Sequence, residues 1–282
     1  MSSKRPQLAR FAAYAAGLCL NTLPSATTPR HPHRPPGSLP APGRTPRGAR
    51  HRARLTAERL AWVHKARSDI VFESPFQLLV GIVLSAQSTD RMANQLMPEL
   101  LKRYPGPETL ATADPADVER ILRPIGFFRA KTRAVMAASR ILLERYGGTV
   151  PHTMAELLTL PGIGRKTANA ILSIGFGAPA VVTDRHVIRV AGRLRLVAGT
   201  APQLVEAQLR YLLPRGDWTP FSLRMVLHGR YVCIARRPLC EQCVLNDFCP
   251  TSTTAGWPME ERRKLSLSLA GHFQDSPGRV FN

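Results

Sequence analysis

Four cysteines stand close together toward the carboxyl end of the chain, and they constrain its fold more than any other feature. They share one 17-residue stretch, CIARRPLCEQCVLNDFC, with the spacing C-x6-C-x2-C-x5-C: Cys233, Cys240, Cys243 and Cys249. Four thiolates this close in sequence suit a tetrahedral zinc ion or a cubane [4Fe–4S] cluster, and the spacing alone leaves both open. Disulfides are the other alternative, and they are the weaker one inside a cell, where thiols stay reduced.

The loop between the first two cysteines contains two arginines, Arg236 and Arg237. A small loop held at both ends by a metal is a good scaffold for contacts with phosphate groups, although a solvated surface is the simpler interpretation. The fifth cysteine, Cys19, lies far from the other four, and we expect no role for it.

A glycine-rich turn, LPGIGRKTANAIL, separates two helical patterns at residues 160–172. Thr153 and Glu156 predict a capping box at the start of the first helix, and Pro161 predicts its end. Ala168, Ile171, Leu172 and Gly175 recur at helical spacing and predict the second helix.

Gly162 and Gly164 allow the chain to turn so that backbone amides can converge on one anion. A nucleotide-binding P-loop would need a preceding strand and a glycine directly before the lysine, where this chain has Arg165. The pattern indicates a helix-hairpin-helix element, which binds the DNA backbone, and Arg165 is a candidate contact. A plain connection with a glycine cap is the alternative.

Lys166 follows at the amino terminus of the second helix, where the helix dipole disfavours a cation. With partial burial, such a lysine would hold a neutral amine that can act as a nucleophile; the alternative is a lysine that binds phosphate. Asp184 precedes the next helical pattern and is a favoured N-cap residue. The helix carries the chain about 13 Å away from Lys166. The next eight or so residues can extend about 26 Å, so the carboxylate can return beside the amine and serve in proton transfer.

The chain is strongly basic, with 39 Lys and Arg against 19 Asp and Glu, for a formal net charge of +20. This balance suggests a polyanionic partner. Residues 1–54 hold ten of these cations, nine prolines and no acidic residue, which predicts a disordered basic arm. The run FAAYAAGLCL resembles a signal-peptide core, and an acid-free start also fits an organellar transit peptide. We favour a plain extension or a start placed too far upstream, in a cytoplasmic, nucleoid-associated protein.

From about residue 55 to 250, apolar residues recur every three or four positions between short Pro/Gly turns. This periodicity predicts an all-α fold of roughly ten short helices. No run approaches the 18 or so apolar residues of a membrane-spanning helix, which predicts a soluble protein with no membrane partner. Residues 251–282 are expected to form a loosely ordered tail.

Residues 72–250 resemble the endonuclease III family of DNA glycosylases. The resemblance rests on SPFQLLVGIVLSAQSTD, IGFFRAKT, LPGIGRKTANAIL, TDRHVIRV, LHGRYVCIARRPLC and the cysteine spacing. It implies two helical domains that flank a DNA-binding cleft: a six-helix domain at 77–185, and a [4Fe–4S] domain built from 55–76 and 186–250. It also implies removal of oxidised pyrimidines from double-stranded DNA and cleavage of the abasic strand by β-elimination.

By matched position, Lys166 is the Schiff-base nucleophile and Asp184 the essential carboxylate, and the damaged base must be flipped out to reach them. Gln87 and Phe127 would enter the gap that the flipped base leaves, with Phe128 as the competing choice and a core aromatic as the plainer interpretation. The family usually has Thr after the aspartate, whereas this chain has Arg185, which leaves the preferred lesion open.

Two other classes of protein are weaker interpretations. Adenine-excising relatives lack the hairpin lysine and carry a large extra carboxyl-terminal domain, whereas 33 residues follow Cys249 here. A non-catalytic DNA-binding protein would need neither Lys166 nor Asp184. We therefore expect a monomeric enzyme that acts on damaged DNA.

Overall fold

The computed structural model describes residues 38–252, 254, 258–262 and 264. Regular structure in these residues is helical, and no strand occurs among them, which confirms the all-α prediction. The helices are α1 (Ala49–Val63), α2 (Pro75–Ser85), α3 (Asp90–Arg103), α4 (Pro107–Ala111), α5 (Pro115–Leu122), α6 (Phe128–Tyr146), α7 (Met154–Leu157), α8 (Arg165–Ala170), α9 (Arg185–Arg193), α10 (Pro202–Leu212) and α11 (Trp218–Tyr231). A π-helical turn, Ile171–Gly175, continues α8.

Local side-chain caps explain where several helices begin. The Ser74 hydroxyl accepts a hydrogen bond from the Gln77 amide at 3.2 Å, and Thr153 caps α7 as predicted, with Oγ1 3.3 Å from the Glu156 amide. A short polar side chain at this position satisfies a backbone donor that the helix leaves open. The segmentation of the chain therefore follows from signals a few residues long.

A first hydrophobic core lies among helices α2 to α8. It is centred on fully buried side chains such as Leu79, Leu84 and Leu122, and it also includes Ile70 and Phe76. The latter two residues precede position 77, where we expected the first domain to begin. The core spans one continuous stretch of chain, from Ile70 to Leu172.

A second hydrophobic core joins the beginning of the described chain to its end. Leu60 of α1 packs in the same cluster as Phe221 and Met225 of α11 and as Leu245 of the cysteine loop. Val181 also belongs to this core, although we expected it in the first domain. The approach to Asp184 therefore runs along the boundary between the two cores.

The expected basic arm is shorter than predicted. Helix α1 begins at Ala49, which is buried, and Arg52 donates hydrogen bonds to the carbonyls of Leu194 and Arg195 at 2.8 and 2.7 Å. Gln208 donates to the Pro42 carbonyl at 2.8 Å. Residues 42–54 thus belong to the folded part of the protein.

The rest of the arm, residues 1–37, lies outside the described residues, and so do Cys19 and the FAAYAAGLCL run. Where the structure describes the chain, no helix combines the length and the apolar character needed to cross a membrane.

The start of the carboxyl-terminal tail packs against the cysteine loop instead of being loosely ordered. Asn246 donates to Ser252 Oγ at 3.0 Å. Arg262 is buried and donates to the Cys243 carbonyl at 3.1 Å. The predicted loose tail is therefore wrong for this part, and residues 265–282 lie outside the description.

Candidate functional site

The glycine-rich turn packs tightly between helices of the first core. Gly162 adopts φ +80°, in the left-handed region that favours glycine, and a Cβ atom added there would lie 3.0 Å from Cβ of Ala134 on α6. Gly164 is exposed and forms the N-cap of α8 without a side-chain cap. Two helices, α7 and α8, flank the turn as predicted for a helix-hairpin-helix element, and the start of α8 lies at the surface.

Lys166 lies in the first turn of α8 and its side chain is exposed. We expected partial burial to help hold the amine neutral, and the structure contradicts that part of the argument. The turn leaves this lysine at the surface because α8 buries its other face, which carries Ala168 and Asn169. An exposed position gives the amine direct access to a substrate bound over the turn.

Arg165 is largely buried and pairs with a buried acidic residue. Its Nε and Nη2 atoms donate to the Glu206 carboxylate at 2.7 and 3.0 Å, and the Glu206 side chain is 2 % exposed. Arg210 lies 3.4 Å from the same carboxylate and stacks over the Trp218 ring, 4.2 Å from its centroid. This geometry gives Arg165 a structural partner and does not support the predicted phosphate contact.

Asp184 is buried and caps α9, as its position before the helical pattern predicted. Its Oδ1 atom accepts hydrogen bonds from the amides of His186 and Val187 at 2.8 and 2.9 Å. Both bonds fall on one oxygen, so the cap does not engage Oδ2. The carboxylate is thus held in a fixed direction at the amino terminus of a helix, where negative charge is favoured.

The segment that leads to Asp184 is connected to the helix that bears Lys166. Asn169 of α8 is buried, and its Nδ2 atom donates to the Val181 carbonyl at 3.0 Å. Asn169 is one turn beyond Lys166, about 4.5 Å along the helix axis, and Val181 is three residues before Asp184, at most about 10 Å of extended chain. The chain therefore returns to α8 three residues before Asp184. The sequence offered no specific signal for Asn169.

His186 and Arg185 follow Asp184 on α9. Arg185 is exposed, and its Nε atom lies 3.4 Å from Nε2 of His186, while Arg189 lies 3.1 Å from Nδ1 of the same ring. Burial lowers the pKa of His186, although the neighbouring Asp184 carboxylate acts in the opposite direction. The unusual residue after the aspartate thus lies at the surface, within one residue of the buried carboxylate.

Gln87 and Phe127 lie in exposed loops at the ends of helices. Both have a left-handed backbone, with φ of 54° and 60°, which side chains other than glycine rarely adopt. Phe127 is 67 % exposed, whereas Phe128 packs against the first core. Between the two candidate wedges, the structure favours Phe127. Strained backbone of this kind often occurs at functional sites.

The four cysteines surround a cavity of about 180 Å³ and are free of disulfide bonds. Among the described residues, no three Cys, His, Asp or Glu side chains converge as ligands of one metal ion. All four thiols line this one cavity, which fits a cluster of several iron atoms, each held by one thiolate.

Polar groups lie within hydrogen-bond distance of three of the four sulfur atoms, the weakest contact being that of Cys249 Sγ with Thr251 Oγ1 at 3.5 Å. Arg193 donates to Cys233 Sγ at 3.2 Å and to the carbonyls of Ile234 and Ala235 at 2.8 and 2.7 Å. Nε2 of the buried His228 lies 3.5 Å from Cys243 Sγ, and the Leu245 amide donates to the same sulfur at 3.4 Å. Burial raises the pKa of the Cys243 thiol to about 12, so donors at this sulfur oppose the effect of burial on its anionic form.

Arg236 and Arg237 are exposed in the loop that connects Cys233 to Cys240. Arg193, which holds this loop through its backbone carbonyls, was not predicted. Its only sequence signal is a basic residue in the last turn of α9.

Comparison with known proteins assigns these features to a family. Residues 80–215 match the HhH-GPD superfamily base excision DNA repair protein, and residues 233–249 match the iron–sulfur binding domain of endonuclease III. The first match contains the whole turn and Asp184, and the second begins and ends on a cysteine.

Curated relatives and solved structures agree with these matches. The chain is 44% identical over 188 residues to endonuclease III of Synechocystis, covering 66% of this chain and 86% of that protein. It is 36% identical over 182 residues to endonuclease III of Escherichia coli strain K12, covering 64% and 86%. The fold is similar to a trapped endonuclease III–DNA covalent intermediate, with a TM-score of 0.69, 33% identity and coverage of 77% and 98%. A non-covalent endonuclease III–DNA complex has a TM-score of 0.68 at 33% identity, with coverage of 77% and 97%.

The class is therefore a DNA glycosylase with AP-lyase activity that works in base excision repair, and its substrate is DNA. Within that class, the chain belongs to the endonuclease III family. It carries a [4Fe–4S] cluster, which decides against the zinc alternative.

Proposed function

We propose that Lys166 and Asp184 carry out the reaction on an oxidised pyrimidine in double-stranded DNA. The observation that supports this most directly is the Asn169–Val181 hydrogen bond, which draws the approach to Asp184 alongside α8. One residue supplies an exposed amine and the other a buried, oriented carboxylate. A nucleophile beside a carboxylate is the arrangement that lysine-dependent base removal requires.

In the proposed reaction, Nζ of Lys166 in its neutral form bonds to C1′ of the damaged nucleotide. The bond from C1′ to the base breaks, and the base leaves with the electron pair and gains a proton. Asp184 accepts the proton that the amine loses and stabilises the positive charge that develops on the sugar. Opening of the sugar ring gives an imine between Nζ and C1′. Loss of a C2′ proton then expels the 3′ phosphate, which cleaves the strand by β-elimination.

Reductive trapping tests the nucleophile. Borohydride should convert the imine of the wild-type protein to a stable protein–DNA adduct on a thymine-glycol duplex. Lys166→Ala should form no adduct, while Lys102→Ala, which removes an exposed lysine in the last turn of α3, should form it fully. Full adduct formation by Lys166→Ala would show that Lys166 is not the nucleophile and would favour the alternative, that it binds phosphate. A relative has been captured as a covalent intermediate with DNA, which makes the assay practicable.

We also propose that Phe127 and Gln87 fill the space that the flipped nucleotide vacates. Both are exposed at the tips of loops whose strained backbone holds the side chain outward. An apolar side chain wedged between base steps unstacks them and bends the duplex, which lowers the free energy needed for flipping. Gln87 offers both a donor and an acceptor to the base left unpaired.

Contacts with the DNA backbone are proposed at two places. The amides around Gly162 and Gly164 would hold phosphate groups next to the nucleophile, and the exposed Arg236 and Arg237 would hold them from the cysteine loop. When bound, the cluster supplies iron–thiolate bonds from Cys233, Cys240, Cys243 and Cys249, which cross-link this loop. The two hydrophobic cores would then be the two domains that flank the DNA.

Lesion preference is proposed to depend on Arg185. Arg185 is exposed, its guanidinium contacts the His186 ring, and it directly follows Asp184 in sequence, where a neutral threonine is usual in the family. Excision rates for thymine glycol and for a positively charged lesion test this, with Arg185→Thr as the comparison. An unchanged ratio of the two rates would contradict it.

We further propose that the protein is a monomer in the cytoplasm, associated with the nucleoid. An organellar location is the alternative.

A further inference from the structure

The segment 178–183, which leads to Asp184, runs between two helices, and none of the described residues forms a strand beside it. Side chains take the place of strand partners. On one side, Thr219 and Ser222 of α11 accept from the amides of Ala180 and Val182 at 3.2 and 3.1 Å. On the other side, Asn169 of α8 donates to the Val181 carbonyl at 3.0 Å. The position of this segment is therefore set by hydrogen bonds from two different helices.

The two sets of hydrogen bonds connect segment 178–183 to different parts of the proposed active site. Helix α11 belongs to the second core, with Phe221 and Met225 buried there. Helix α8 bears Lys166, and Asn169 lies one helical turn further along. The bonds to Thr219 and Ser222 fix Asp184 relative to the second core, whereas the Asn169 bond fixes it relative to the nucleophile.

The hydrogen bond from Asn169 to the Val181 carbonyl is important for the position of the segment because both residues are buried. The side chain is 2 % exposed, and the Val181 residue that it meets is 0 % exposed. A buried carbonyl that loses its donor finds no water to replace it, so the segment must shift or leave the carbonyl unsatisfied. A shift of this segment would move Asp184 while the helix bonds of Lys166 stay intact.

We propose that Asn169 is a positioning residue, which sets the distance between the Asp184 carboxylate and Lys166. This inference rests on the catalytic roles proposed above for those two residues. Asn169 touches neither the substrate nor the reacting atoms. Its loss should slow base removal because misplacement of a catalytic group by about 1 Å can lower a rate about 10²-fold.

A double-mutant cycle tests the proposal, using the cluster-loaded full chain under single-turnover conditions on a thymine-glycol duplex. Asn169→Leu keeps the side-chain size and removes the donor. It should slow excision about 10- to 100-fold and change the affinity for a duplex with a non-cleavable abasic analogue less than about threefold. In an Asp184→Asn background, the same substitution should have little further effect, because its target is already gone.

Gln208→Leu is the matched control. Gln208 is a buried amide that also donates to a backbone carbonyl, that of Pro42, at 2.8 Å, and accepts from the Ala198 amide at 2.8 Å. It lies on α10, and both of these partners lie outside the hairpin and outside segment 178–183. Its loss should lower the unfolding temperature and leave the excision rate of the folded protein at the wild-type value.

Three outcomes would overturn the inference. A wild-type rate in Asn169→Leu would refute it while the roles of Lys166 and Asp184 stand. If Asn169→Leu slows excision by the same factor in the wild type and in Asp184→Asn, then Asn169 does not act through Asp184 and has only a general structural role. A wild-type rate in Asp184→Asn would refute the proposed function itself, and with it this inference. If Asn169→Leu does not fold, Asn169→Ser, which is smaller and cannot reach the carbonyl, takes its place in the cycle.

Discussion

The carboxylate of Glu206 receives two hydrogen bonds from Arg165, at 2.7 and 3.0 Å, although the two residues are 41 positions apart. This ion pair joins the first residue of α8 to α10 and so ties the helix-hairpin-helix turn to the second core. The residue directly before the proposed nucleophile is thus held by a buried charge, and Lys166 is left to face the substrate.

Removal of Arg165 should therefore destabilise the protein without changing how it binds DNA phosphates. Arg165→Ala leaves Glu206 buried beside Arg210 alone, and breaking a buried pair in this way costs about 3–5 kcal/mol. The double variant Arg165→Met with Glu206→Leu should recover much of that loss. Urea unfolding measures the stability.

DNA binding should not depend on Arg165. The slope of log affinity for DNA against log salt concentration should be the same in the wild type and in the double variant Arg165→Met with Glu206→Leu. Arg237→Ala should reduce the magnitude of that slope by about 0.9. A smaller salt-dependence slope in the double variant than in the wild type would instead support the predicted contact between Arg165 and phosphate.

The exposed Phe127 and the packed Phe128 should respond in opposite ways to substitution. Phe127→Ala should leave stability within about 0.5 kcal/mol, since the side chain is at the surface. It should lower excision about 10- to 100-fold, because the unstacked base step loses its wedge. Phe128→Ala should instead reduce stability by about 1–3 kcal/mol and keep the intrinsic rate. The two measurements are chemical unfolding and single-turnover excision. If Phe127→Ala lowered stability and Phe128→Ala lowered the excision rate, Phe128 would be the wedge and Phe127 the core residue.

Lys131 should make stability depend on pH in the alkaline range. Its Nζ atom is buried without a hydrogen-bond partner among the described residues, and burial lowers its pKa below the ordinary 10.5. The unfolded chain therefore binds this proton more tightly, and the stability of the wild type should rise as pH increases toward 10.5. Lys131→Met should be more stable at pH 7 by about 1–3 kcal/mol, and the difference should shrink as pH rises. Urea midpoints measured between pH 7 and 10 test the trend, and a constant difference would contradict it.

Iron content should depend on the cysteines of the loop. The purified protein should be brown, absorb broadly at about 400 nm and contain about four iron atoms per chain. Cys240→Ser should lose iron and much of the DNA affinity, while Cys19→Ser, outside the motif, should keep both. Retention of the full iron content by Cys240→Ser would remove this residue from the ligand set.

Truncation should separate the arm from the fold. Deletion of residues 1–37 should preserve folding and excision, and it should weaken non-specific DNA binding most at low salt, because five cations are removed. Deletion of residues 1–54 also removes Arg52, with its bonds to the carbonyls of Leu194 and Arg195, along with the buried Ala49 and Ala53. This longer deletion should destabilise the protein by about 3 kcal/mol or more. Equal thermal stability of the two truncated proteins would contradict the role assigned to α1.

Features that depend on neighbouring residues in sequence were predictable. The cap at Thr153, the cap at Asp184 and the turn at Gly162 all follow from signals within a few positions. The cysteine spacing predicted a metal loop for the same reason.

Contacts between distant residues were not predictable from local signals. The Arg165–Glu206 pair joins residues 41 positions apart, and in the sequence both basic residues at the start of α8 look suited to DNA contacts. Asn169 and Val181 meet because of how the chain turns after α8, which no local pattern specifies. The start of α1 was missed because small alanines form its buried stripe, and the arginines between them made the stretch look like part of a disordered arm.

The two hydrophobic cores also differ in when their parts become available during synthesis. The first core comes from the continuous stretch Ile70–Leu172, so it can form as soon as that stretch leaves the ribosome. Helix α1 is made earlier, yet its partners extend to Leu245, about 180 residues later. At about 5–20 residues per second, the apolar face of α1 waits about 10–40 s for them. The first helix of the described residues is thus among the last to be buried, and its apolar face stays open to aggregation until the cysteine loop has emerged.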